Sequence, residues 1–80
     1  MKLPREISGK ELIKLLRKYG YEITRQTGSH IRLTTKLNGE HHVTVPDHEN
    51  LKIGTLSNIL NDVALYLKID KSQVAKTLFE

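Results

Sequence analysis

The run Thr27-Gly28-Ser29-His30-Ile31-Arg32-Leu33-Thr34-Thr35-Lys36-Leu37-Asn38-Gly39-Glu40-His41-His42-Val43-Thr44-Val45-Pro46-Asp47 decides how this chain folds. It contains two alternating stretches joined through Asn38-Gly39. That dipeptide accepts the positive φ values of a type I′ turn, which makes it a strong short-range hairpin signal. Side chains alternate across a strand. Ile31 and Leu33 therefore point one way, with Val43 and Val45 as their matching set. His30, Arg32 and Thr34 point the other way, with His42 and Thr44. One sheet face is a core face, and the other is polar, carrying imidazole, guanidinium and hydroxyl groups.

On the N-terminal side, residues 1–7 read as a lead-in, with Pro4 set against early helix. Ser8-Gly9-Lys10-Glu11 reads as a capping box. Leu12, Leu15, Leu16 and Tyr19 follow at helical spacing, with Lys10, Lys14, Arg17 and Lys18 on the opposite side. Gly20 suits the left-handed residue that closes a helix, so the first helix is predicted over residues 9–19. Residues 21–26 alternate as a first strand, Gly28 breaks it, and strands over 29–36 and 41–46 complete an antiparallel meander. Pro46 lacks an N–H and ends the ladder.

On the C-terminal side, a polar loop leads to Gly54-Thr55, which opens a second helix. Leu56, Ile59, Leu60, Val63, Ala64 and Leu67 recur with a helical period. Asp70-Lys71-Ser72-Gln73 resembles another cap, before a short final helix through Val74, Ala75 and Leu78. The chain is thus predicted to be a single α+β domain over residues 1–80, a three-stranded antiparallel sheet with two helices on one face plus a short C-terminal helix. The expected core is Leu12, Leu16, Ile23, Leu33, Val43, Leu56, Ile59, Leu60 and Val63.

Composition narrows the function. With no cysteine among 80 residues, a disulfide framework and a thiolate metal site are excluded. No apolar run approaches the roughly 20 residues of a membrane span. The N-terminus lacks the apolar core of a signal peptide, so the cytosol is the default compartment. Net charge is +4, unevenly spread: residues 1–40 hold nine Lys and Arg against four Asp and Glu, residues 41–80 four against five. A basic half favours a polyanion such as nucleic acid, although a basic helix face is also an ordinary solvated surface.

The chemistry-bearing residues are the four histidines. His41 and His42 are strand neighbours on opposite faces, and no standard zinc spacing occurs, so no metal site is expected. Ser29 and His30 diverge in the same way, and no nucleophile elbow is present. Acid–base chemistry fits better. A neutral imidazole can take a proton and return it. RNA carries its own nucleophile, the 2′-OH, and a cationic side chain can stabilise the crowded phosphate. His30 and Arg32 share a strand face and suit those two roles. His42, on the same face, is the candidate second proton-transfer group; His48, in the loop after Pro46, is a further one with a structural role as its alternative.

Gly28-Ser29-His30 after the first strand, Val43-Thr44-Val45-Pro46-Asp47-His48, and Leu51-Lys52-Ile53-Gly54-Thr55-Leu56 with Ile59-Leu60 form an ordered set. With the opening helix and its Tyr-Gly ending, that set resembles the HicA (YcfA-like) toxins over about residues 5–79. The resemblance implies a double-stranded-RNA-binding-like fold, with element order α-β-β-β-α. It implies an mRNA interferase, the endoribonuclease toxin of a type II toxin–antitoxin pair, neutralised by a HicB-type antitoxin. The family's catalytic histidine follows the Gly-Ser pair, which places it at His30, with no metal or other cofactor. RNA contacts are expected from Lys10, Lys14, Arg17, Lys18, Ser29 and Arg32, and the antitoxin is expected to cover the face presenting His30, Arg32 and His42. Relatives often carry basic residues along the helix after Gly-Thr; here Ser57, Asn58, Asn61 and Asp62 stand there. The alternative function is a binding module of the same fold that grips RNA or a protein without cleaving.

Overall fold

The computed structural model describes residues 2–80; Met1, part of the expected lead-in, lies outside them. Helix α1 spans Gly9–Leu16 and begins in the expected capping box. The Glu11 N–H donates to Ser8 Oγ and the Ser8 N–H to Glu11 Oε1, each at 3.0 Å. The Ser8 backbone N–H, with the Ser8 hydroxyl second, holds the Glu11 carboxyl below its ordinary range. The α-helix stops three residues earlier than its apolar period suggests: Arg17–Tyr19 tighten into a 3₁₀ turn, which Gly20 closes at φ 81°. A Cβ at Gly20 would lie 2.8 Å from Thr35 Oγ1, so sterics as well as the positive φ require glycine there.

Strands β1 (Glu22–Thr27), β2 (His30–Thr35) and β3 (His41–Pro46) form an antiparallel sheet in the order β1-β2-β3. Helices α2 (Ile53–Leu67) and α3 (Lys71–Phe79) follow. Lys68 at φ 58° separates them. Asp70 caps α3 through its backbone only, because its side chain makes no cap hydrogen bond. Ile31, Leu33, Val43 and Val45 join the buried residues of all three helices in one cluster, so the helices cover one sheet face and leave the other open.

The expected core forms, with one exception. Ile23 is 50% exposed, whereas Tyr21, one residue before β1, is fully buried. Two features explain the exception. β1 and β3 are both outer strands, but α1 and α2 both pack on β3, whereas β1 meets chiefly α1 and lies toward the rim of the helix layer. The ladder also carries a bulge: Ile23 pairs with Leu33, but the next pair is Arg25 with Arg32, leaving Thr24 as the extra residue.

The tight turn of the sheet is not at the Asn38-Gly39 signal. Gly28-Ser29 is the tight one, a two-residue turn closed by the Thr27–His30 pair. Gly28 lies at φ 58° while Ser29 keeps a negative φ, the pattern of a type II′ turn. Asn38-Gly39 does not form the type I′ turn: only Gly39 has positive φ, and five residues separate the paired Thr35 and His41. Tyr66 of α2 accounts for the difference. Its hydroxyl accepts from the Asn38 N–H at 2.6 Å and donates to the Gly39 carbonyl at 2.7 Å, holding the wider loop against the helix.

Candidate active site

His30 opens β2 directly after the tight turn. The turn is pinned twice: Gln26 Nε2 donates to the Gly28 carbonyl at 3.1 Å, and the Asp47 N–H donates to the Ser29 carbonyl at 2.6 Å. That second bond makes His30 and Pro46 a non-hydrogen-bonded pair, the arrangement in which facing side chains come closest. It also places the missing N–H of Pro46 on the free edge, where no ladder bond is lost. Gly9 carries α1 into the same corner. Its N–H donates to the His48 carbonyl at 2.9 Å, and a Cβ there would sit 2.0 Å from the Pro46 carbonyl oxygen. His48 thus contributes its backbone to the corner, and its side chain is exposed.

The His30 side chain is exposed on the open sheet face and makes no side-chain hydrogen bond among the described residues. Arg32 is two residues along the same face. Arg25, absent from the expected site, joins them. In an unbroken alternation Thr24 would face Arg32 and Arg25 would turn toward the helices; the bulge at Thr24 shifts the register by one and sets Arg25 directly across from Arg32. Like charges in directly opposed positions repel. Neither arginine has a carboxylate partner among the described residues, where the single ion pair joins His42 and Glu40. An open face with an unencumbered imidazole beside two opposed guanidiniums suits an anion that is also a substrate.

His42 shares the face but belongs to a different network. Its Nδ1 lies 2.7 Å from Thr34 Oγ1, its Nε2 3.1 Å from Glu40 Oε2, and Thr34 Oγ1 in turn 2.8 Å from Thr24 Oγ1. The register pairs His30 with Pro46 and Thr34 with His42, four residues further along. At about 3.4 Å per residue the backbones of the two histidines stand roughly 14 Å apart. His41 points to the helix side. Its Nδ1 lies 2.7 Å from the Tyr21 hydroxyl, and its ring stacks on Tyr66 at 4.5 Å. Burial pushes the Tyr21 phenol well above its ordinary pKa, so it stays protonated in this cluster.

The basic residues expected to bind RNA do not form one surface. Ser29 and Arg32 stay with His30. Lys10, Lys14 and Arg17 line a groove on the helix side of β1, together with Ile13, Ile23, Gln26 and Ile31. Lys18 donates to the Thr77 carbonyl of α3 at 3.0 Å. On α2, Ser57 accepts a hydrogen bond from Lys71. No group of three His, Asp or Glu side chains converges as a metal site among the described residues.

The family model described as the HicA toxin of bacterial toxin–antitoxin systems matches residues 9–65, from the start of α1 to near the end of α2. The chain belongs to the HicA toxin family. The match spans the tight turn, His30, both arginines and the whole loop of residues 36–40, and ends one residue before Tyr66. This HicA-family chain is therefore a toxin of a toxin–antitoxin system, and membership implies an antitoxin partner. No curated protein and no solved structure matches it. None of its described helices is long and apolar enough to cross a membrane.

Proposed function

We propose that this HicA-family toxin is an endoribonuclease that cleaves mRNA with His30 as its acid–base group, needs no metal, and is silenced by a HicB-type antitoxin. The observation that carries the reading is the exposed, unbonded His30 on the same open face as the opposed pair Arg25 and Arg32. In the proposed reaction His30 takes the proton of a ribose 2′-OH. The 2′-oxygen forms a bond to the adjacent phosphorus, and the bond from phosphorus to the 5′-oxygen breaks. The departing oxygen gains a proton from water or from the imidazolium. Arg25 and Arg32 hold the non-bridging oxygens, where charge accumulates in the transition state. The arginine pair meets its repulsion by binding the phosphate between its members.

Single-turnover cleavage of a model RNA tests this, with wild type and His30→Ala, each with and without EDTA. Wild type is expected to cut in both conditions, and His30→Ala in neither, while still binding RNA through phosphate contacts. Full activity in His30→Ala would remove the imidazole from the reaction, and activity lost to EDTA would restore a metal. Arg25→Gln gives a second measurement. It is expected to weaken RNA binding and to lower the slope of log affinity against log salt by about 1, as one phosphate contact is lost. An unchanged slope would take Arg25 out of the site. The alternative, a binding module of the same fold, predicts RNA affinity with no cleavage by any variant.

A further inference from the structure

β1 is the least protected element of the molecule. All six of its residues are exposed, and it has β2 on one side and, among the described residues, no strand on the other. The Asp47–Ser29 hydrogen bond fixes which backbone groups are free. Because His30 is not bonded to Pro46, it is bonded to Thr27, and the alternation then leaves Gln26 and Ile23 unbonded to β2. Their N–H and C=O groups point outward along the edge. Both side chains lie on the helix side, where they line the groove against α1. Ile13 and Ile31 form its apolar floor, and Lys10, Lys14 and Arg17 its rim. An exposed isoleucine, free strand hydrogen-bonding groups and three cations thus meet in one cleft.

We infer that this cleft is the anchoring site for an extended acidic segment of the antitoxin, which adds to β1 as a fourth strand. The inference rests on the antitoxin reading for the identity of the partner. Strand addition supplies backbone hydrogen bonds for affinity and alternate side-chain pockets for specificity. On the helix side the segment places an apolar residue against Ile23, with Asp or Glu on either side of it facing Lys10, Lys14 and Arg17. Charge selects the occupant. A second copy of this chain would bring its own three cations against these three, which disfavours an edge-to-edge dimer. RNA would satisfy the cations but leave Ile23 and the apolar floor without a partner. The bulge at Thr24 twists the edge and limits pairing to a short segment, which suits a tether rather than a continuous sheet. A fourth strand beside β1 also extends the open face, and β1 ends at Thr27, across from His30. An anchor here brings the rest of the antitoxin to the catalytic face.

The test uses the isotopically labelled protein and a synthetic ten-residue peptide in which Glu, Val and Glu occupy alternate positions with Thr between them, so that the acids and the apolar residue share one strand face. The expected result is chemical-shift change and amide protection confined to β1 and to the α1 side of the cleft, strongest at Ile23 and Gln26. Ile23→Ser is expected to weaken the peptide about tenfold by removing an apolar contact. Lys14→Glu with Arg17→Glu is expected to weaken it further at low salt, while His30→Ala leaves it unchanged. No shift at millimolar peptide, shifts confined to the open face, or equal binding of the Lys-for-Glu peptide would overturn the proposal. So would shifts of Ile23 and Gln26 produced equally by a short RNA, or by raising the concentration of the protein alone. The product of the neighbouring open reading frame, co-expressed with the toxin, separates the two readings. Failure to form a complex removes the antitoxin reading and leaves the peptide result to judge the cleft, whereas a complex with unprotected β1 amides removes the cleft.

Discussion

At the loop end of the sheet both histidines are held; at the turn end His30 is not. His41 is fixed between the Tyr21 hydroxyl and the Tyr66 ring, and His42 between Thr34 and Glu40. His30 stands on an equally rigid backbone, pinned through Ser29 and Gln26, yet its ring has no partner among the described side chains. A ring whose two nitrogens are satisfied serves structure, because using it for proton transfer would break bonds the fold relies on. A ring without partners on a fixed backbone is available to a substrate at little cost to the fold. The same residue type thus divides by what surrounds it.

The largest expected effect breaks this comparison directly. His30→Ala should reduce RNA cleavage about 10²–10⁴-fold, equivalent to roughly 3–5 kcal/mol of barrier. It should change stability by no more than about 0.5 kcal/mol, as for exposed side chains in general. His41→Ala should do the reverse, costing about 1–3 kcal/mol of stability by leaving the buried Tyr21 hydroxyl unpaired. Paired thermal melts and cleavage assays read both. If the two variants lost stability equally, the division between held and free histidines would collapse.

The next effect concerns the corner behind His30. Gly9→Ala places a Cβ 2.0 Å from the Pro46 carbonyl oxygen, a backbone atom that cannot step aside alone. Overpacking of this kind costs about 1–3 kcal/mol. Because Pro46 faces His30, cleavage should fall more than the loss of folded protein explains. A melt superimposable on wild type would show that α1 retreats freely and that the corner is looser than its hydrogen bonds indicate.

At the opposite end Tyr66→Phe removes the hydroxyl that bridges Asn38 and Gly39. The loss should be about 0.5–1.5 kcal/mol, since both freed backbone groups can turn to water. Hydrogen exchange at Asn38 should accelerate while cleavage is unchanged. Slower cleavage in this variant would couple the two ends of the sheet and contradict their independence.

What the sequence made legible follows from the range of the interactions concerned. Leu56, Ile59, Leu60 and Val63 are buried because a 3.6-residue period is local information, and the period is visible along the chain. The open face with His30 and Arg32 was readable from simple alternation. Ile23 was not, because its exposure depends on the helices lying over β3 more than over β1, a matter of tertiary packing. Arg25 was hidden by one extra residue: strict alternation places it with the core, and only the bulge at Thr24 turns it to the site. The Asn38-Gly39 turn failed because a tyrosine 28 residues away in sequence outweighs the local preference of the dipeptide. The division of Lys10, Lys14 and Arg17 from His30 is likewise a matter of which sheet face the first helix covers.

The smallest effect sits at the start of α1, on the His30 side, and it is read through pH. Hydrogen bonds from the Ser8 backbone and side chain hold the Glu11 carboxyl below its ordinary 4.5, with Lys14 adding in the same direction. A carboxylate with a depressed folded-state pKa contributes its full stabilisation above the unfolded value and loses it as pH falls through the folded one. Glu11→Gln keeps an oxygen that can accept from the Ser8 N–H but removes the charge at the helix N-terminus. The melting temperature of wild type should therefore exceed that of Glu11→Gln at neutral pH, and the gap should close as pH falls below 4.5. Following the gap rather than either melt alone cancels the other carboxylates, which titrate in both proteins. A gap that persists at low pH would mean that the box works by shape alone. A gap that closes, with any His30-dependent cleavage unchanged at neutral pH, would show that the charge in the cap supports α1 without reaching the face that carries His30.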